Sequence, residues 1–191
     1  MNSVLNNPAS YITIGENIHT TRSLLRKGKR IDTVDDVDVI LYTAVDGSAQ
    51  TLLIPDDVKA TQDYDEGRVK HVKVALSAAM FGSAEAAENG LAYIHAMAHH
   101  QEQTGATFLD INVDEFSLKT EEQKAAMTWL VGAVQNMSRL PISVDSSDVD
   151  VIRAGLEACD SSKVRPMLNS ASLERLDALD LVREHNAEVV I

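Results

Sequence analysis

From residue 83 onward the apolar positions alternate between two periods. Ser83 stands where a helix cap belongs, and Ala87, Leu91, Ile94 and Ala98 follow at helical spacing. Ala106–Asp114 (ATFLDINVD) then reads as a strand. Thr120 and Gln123 predict a capping box for the next helix, with Ala126, Trp129, Leu130, Ala133, Val134 and Met137 on one face. Pro141–Asp145 (PISVD) is the next strand, and Val149, Ile152, Leu156 and Cys159 mark the helix after it. Val164–Asn169 (VRPMLN), a helix carrying Leu173, Leu176, Leu179 and Val182, and Ala187–Ile191 (AEVVI) complete the series. The order is β-α-β-α-β-α-β with strands roughly 21 to 33 residues apart, which predicts a parallel sheet with right-handed crossovers.

The first eighty residues are less regular. Tyr11–Ile14 (YITI) predicts a first strand, followed by a loop from Gly15 to Arg22. Lys27-Gly28-Lys29-Arg30 reads as a basic loop. Val37–Val45 and Gln50–Ile54, separated by Asp46-Gly47, predict a β-hairpin. The acidic stretch 56–68 reads as loop, and 69–80 fits either a strand or a helix. Five parallel strands make either a doubly wound sheet or just over half of an eight-stranded barrel. The sequence stops inside a β-branched run without a polar end, so it is read as the start of a longer barrel. The open edges of such a partial barrel make self-association, as a homodimer, one expectation.

Three of the strands end in carboxylates or carboxamides. They deliver Asp110, Asn112 and Asp114, then Asp145, then Asn169, the last in RPMLNSAS (165–172). In a parallel barrel such ends meet on the face that carries chemistry. Ser147 and Asp148 already supply capping groups for the helix that follows, which leaves Asp145 spare for a ligand. His19, after the first strand, would join the same mouth and could do acid–base work.

Composition narrows the partners. The 17 basic against 29 acidic residues give a formal charge of −12, which repels phosphate backbones and anionic membranes. No nucleic-acid or membrane partner is expected. No run of apolar residues reaches membrane-spanning length, and the first residues do not read as a secretory signal, so a cytoplasmic protein is expected. The single cysteine, Cys159, excludes an internal disulfide and a cysteine-based zinc site. His95 and His99 have metal-ligand spacing but show no third ligand, and no metal site is identified. The basic loop 27–30 reads as solvated, and no P-loop, dinucleotide fingerprint or Gly-x-Ser-x-Gly elbow occurs.

The segments Ile14-Gly15-Glu16-Asn17-Ile18-His19, Gly105–Val113 (GATFLDINV), Ile142–Ser146 (ISVDS) and Met167–Ser172 (MLNSAS) resemble the pterin-binding TIM barrels. That family includes methyltetrahydrofolate–corrinoid methyltransferases, the folate domain of cobalamin-dependent methionine synthase, and dihydropteroate synthase. The resemblance covers 83–191 and a short stretch around 12–22, with an insert at about 24–80 bearing the hairpin. It implies the N-terminal part of a (β/α)8 barrel, with a tetrahydrofolate or other pterin as substrate and cobalamin on a partner corrinoid protein. By the same resemblance Asp145 and Asn169 contact the pterin; Asn112, one strand over, could line the same pocket, and Asp110 is either a further pocket residue or a structural contact under the site. Such a pair suits a pterin edge, since a carboxylate accepts two donors side by side and a carboxamide both donates and accepts.

Two departures stand beside it. The methyltransferase branch reads Gly-Glu-Arg-x-Asn after the first strand, where this chain has Gly15-Glu16-Asn17-Ile18-His19. The synthase's Asn-x-Thr-Pro-Asp-Ser-Phe loop has no counterpart. The expected activity is therefore methyl transfer from a methyltetrahydrofolate-like donor to a corrinoid protein. A dihydropteroate synthase-type enzyme and a non-catalytic pterin-binding paralogue are the alternatives.

Overall fold

In a computed structural model, residues 11–160, 162, 164–172 and 176–191 are described. The chain opens with β1 (Ile14–His19), then β2 (Leu24–Leu25), β3 (Ile31–Val34), β4 (Val37–Thr43) and β5 (Ala49–Leu53). Two one-turn helices follow, α1 (Asp56–Lys59) and α2 (Gln62–Asp65), then β6 (Arg68–Val69), α3 (His71–Phe81) and α4 (Ala84–Gln103). The remainder alternates: β7 (Phe108–Asn112), α5 (Thr120–Met137), β8 (Ile142–Asp145), α6 (Val149–Ala158), β9 (Met167–Asn169), α7 (Asp177–Glu184) and β10 (Glu188–Val190).

The predicted parallel sheet is present, in the order β1-β7-β8-β9-β10 with every described neighbour parallel. Growth is always at the same edge, whereas a doubly wound sheet reverses partway. The helices keep step: α4 packs on α5, α5 on α6 and α6 on α7. β7 is buried along its whole length, as a strand covered on both faces must be. Its odd positions, Leu109 and Ile111, alternate with the polar Asp110 and Asn112.

The N-terminal segment departs from expectation in several places. The first strand is Ile14–His19 rather than Tyr11–Ile14, so residues expected in a loop are themselves sheet. The predicted hairpin forms, but β3 adds to it and makes a three-stranded antiparallel meander. The β3–β4 turn is Asp35-Asp36, both at positive φ (49° and 63°). Aspartate tolerates that region, yet without glycine the turn carried no sequence signal. The acidic stretch 56–68 holds two short helices, and the undecided 69–80 is helical.

Among the caps, Ser83 accepts from Ala86 N as predicted. The capping box at Thr120 does not form. Thr120 Oγ1 donates to Asp148 Oδ2 at 3.0 Å, and Gln123 Nε2 donates to the carbonyls of Asp114 and Ser117. Tertiary partners win over the local ones. The buried face of α4 is rotated to Tyr93, Ile94 and Ala98, leaving Leu91 exposed. Cys159 ends α6 half-buried, its thiol pushed up to about 12 by burial. Leu173 lies outside the described residues.

Candidate active site

The register of the parallel sheet places four polar side chains in one row. His19 pairs with Asn112, Asn112 with Asp145, and Asp145 with Asn169. Residues level with one another in a parallel sheet point to the same face, so the row presents an imidazole, two carboxamides and a carboxylate together. Asp110 lies two residues before Asn112 on the same face, one layer deeper, opposite Ser143.

His19 reaches this row because of an irregularity. Between Gly15 and Ile18 the register of β1 slips against β7, so three steps on β1 match two on β7. Such a bulge shifts every later side chain to the other face. Gln101, buried near the end of α4, holds the bulge. With its amide turned to satisfy both groups, Nε2 donates to Gly15 O at 3.1 Å and Oε1 accepts from Asn17 N at 2.7 Å. A Cβ on Gly15 would collide with the Gln101 side chain, which explains glycine there. Sequence reasoning missed Gln101, and a lone polar residue late in a helix gives no local signal.

The members of the row hold one another. His19 Nε2 lies 2.9 Å from Asp110 Oδ2 in a fully buried contact. Asn169 Nδ2 donates to both Asp110 oxygens at 3.3 Å, a choice fixed by chemistry because a carboxylate only accepts. Asn112 Nδ2 donates to Asp145 Oδ2 at 2.9 Å, while Asn112 Oδ1 accepts from Asp114 N at 2.9 Å. Asp110 and Asn112 are thus tied to protein partners, Asp110 to His19 and Asn169 and Asn112 to Asp145. Among the described residues, Asp145 Oδ1 and Asn169 Oδ1 carry no hydrogen bond and remain as adjacent acceptors. Burial is the main cause that raises the Asp145 pKa above the usual carboxylate range. The Asn112 hydrogen bond opposes the rise and the nearby Asp110 charge adds to it.

A neighbouring carboxylate is spent on the loop. Asp114 accepts from Ser146 Oγ at 2.5 Å and from Ser147 N at 2.9 Å, and Ser146 Oγ accepts from Asp148 N at 3.1 Å. Asp148 in turn caps α6 through Asp150 N, so the chain directly after Asp145 is pinned.

The other candidates lie away from the row. His95 and His99 are half-buried on α4, and no third ligand joins them among the described residues. Lys27 and Lys29 are exposed, but Arg30 turns inward and donates to Tyr93 Oη at 2.5 Å. Among the described residues, no helix is long and apolar enough to cross a membrane.

The family model described as pterin binding enzyme matches residues 62–191, more than half of the chain. It takes in Asp110, Asn112, Asp145 and Asn169, the members of the site that lie on β7, β8 and β9. With its parallel winding and its polar strand ends, this chain belongs to the pterin-binding enzyme family.

Proposed function

We propose that the chain forms the N-terminal part of a (β/α)8 barrel that binds a reduced folate or pterin across the ends of β7, β8 and β9. In this reading it moves a methyl group from a methyltetrahydrofolate-like donor to a corrinoid carried by a partner protein in the cytoplasm. The observation that supports it most is the pair of unused acceptors, Asp145 Oδ1 and Asn169 Oδ1, on adjacent strands in one register row. A pterin edge offers a ring N–H beside an exocyclic amino group, and the two acceptors on neighbouring strands are of the kind that receives such donors. A charge-assisted bond to the ionised Asp145 carboxylate contributes about 1.5–3 kcal/mol, and one to the neutral Asn169 amide contributes less.

His19 is the candidate proton donor. It ends β1 at the same mouth and is fixed by Asp110. A proton placed on the ring nitrogen that bears the methyl makes the pterin a better leaving group. The corrinoid, when bound to its partner, supplies the low-valent cobalt that accepts the methyl.

The test is turnover. The protein, methyltetrahydrofolate and reduced cobalamin are mixed, and methylcobalamin is followed by absorbance. The reading predicts methylcobalamin formation well above the protein-free rate. It also predicts a loss of tenfold or more in kcat for His19→Ala, with tetrahydrofolate affinity little changed. Tight tetrahydrofolate binding with no transfer, to free cobalamin or to a corrinoid protein, would assign a non-catalytic pterin-binding role instead.

A further inference from the structure

We propose that His19, Asp110 and Asp145 also form a binding site for a divalent first-row transition cation, spanning the strand-end row and the deeper layer of Asp110 and sharing Asp145 with the pterin pair. The inference stands on the donor geometry and does not rest on the pterin reading. One ligand atom from each of the three residues lies within 4.8 Å of the other two. Donors sharing an ion at bond lengths of roughly 2.0–2.2 Å stand about 3–4 Å apart, so small side-chain adjustments close the set. An imidazole with two carboxylates suits zinc, manganese or iron better than calcium or magnesium.

Ser143 provides the independent sign that something belongs there. Its hydroxyl is fully buried and has no hydrogen-bond partner among the described residues. Ser143 pairs in register with Asp110 and shares its face with Asp145, two residues on, so it points into the same layer. Leaving a buried hydroxyl unsatisfied is destabilising. A cation on the three donors keeps water in its open positions, and one such water satisfies Ser143.

The surrounding bonds are those of a supported metal site. Asn112 holds Asp145 through Oδ2, and Asn169 holds Asp110, which orients both carboxylates. The local sequence hides the set because its members come from three strands, with His19 and Asp110 separated by 91 residues.

The decisive experiment is calorimetric titration of the whole metal-stripped protein with zinc alone, paired with thermal melts. The expected result is one equivalent bound at micromolar affinity or better, with a raised Tm. Affinity should fall tenfold or more in His19→Gln and in Asp145→Asn, and should be unchanged in a His95→Ala/His99→Ala double variant. A circular-dichroism melt without zinc checks that each variant folds. Ser143→Ala supplies a milder perturbation, expected to weaken binding severalfold. Absence of stoichiometric zinc binding would overturn the inference, as would binding that survives in His19→Gln and vanishes in the double variant. A parallel tetrahydrofolate titration in chelator separates the two proposals. Pterin binding without zinc binding sinks only this one, and zinc binding without pterin binding sinks only the other.

Discussion

In the three-stranded meander, polar side chains find partners a few residues away. Thr33 Oγ1 donates to Asp38 Oδ1 at 2.8 Å, and Ser48 donates to Asp46 through both its hydroxyl and its backbone N–H. From outside the meander, Tyr64 of α2, 26 residues on, closes on the second Asp38 oxygen. In the five-stranded sheet, the partners of Asp110 and Asp145 arrive from 33, 59 and 91 residues away. The local pairs shape turns, and with Tyr64 they leave Asp38 satisfied on both oxygens. The long-range pairs leave Asp145 and Asn169 with one unused acceptor each. A sheet whose winding forces polar ends into one row builds a site, whereas a meander with the same residue types builds only itself.

If that contrast holds, damage to the meander should reduce stability and spare recognition. The largest effect is expected for Leu52→Ala, which removes a buried side chain from β5. It should lower unfolding free energy by about 2–5 kcal/mol in urea titration. Below the transition, tetrahydrofolate affinity should stay within twofold of wild type. A large loss of affinity in the folded variant would break the separation.

The seam between the two regions gives the next effect. Arg30 donates to Tyr93 Oη, which lies 2.9 Å from His71 Nδ1. Burial and then the Arg30 charge push the His71 pKa down from 6.5 to about 4. Because the folded value lies below the unfolded one, the stabilisation is fully present above pH 6.5 and is lost as pH falls towards 4. Its size is on the order of 3 kcal/mol. Urea titrations at pH 7.5 and pH 5 should show a steeper loss in wild type than in His71→Gln.

Smaller effects come from single polar groups. Tyr64→Phe removes the bond to Asp38 and should cost about 1 kcal/mol, with no change in ligand binding. Asp145→Asn should do the reverse. The raised folded pKa means that folding disfavours the Asp145 carboxylate at neutral pH. The neutral amide should therefore stabilise the fold slightly at pH 7 while weakening pterin binding.

The sequence made the strand ends legible because alternation and helix caps are local signals. Asp110, Asn112, Asp145 and Asn169 all fall at the ends of runs whose period marks them as strands. Their division of labour was not legible. Asn112 bonds Asp145 and Asp110 bonds Asn169, and that depends on register across three strands. The path of β1 was equally hidden, since its bulge is held by Gln101 from a different element. The meander's third strand escaped notice because its turn uses two aspartates at positive φ where glycine or asparagine would have announced it.

The most direct test of the central claim, that the strand-end row recognises a pterin, is calorimetric titration of tetrahydrofolate into wild type, Asp145→Ala and Asn169→Ala. The account predicts micromolar binding that weakens at least tenfold in each variant, about 1.4 kcal/mol or more. Wild-type protein that is folded and binds no pterin, or variants that bind as tightly as wild type, would contradict it.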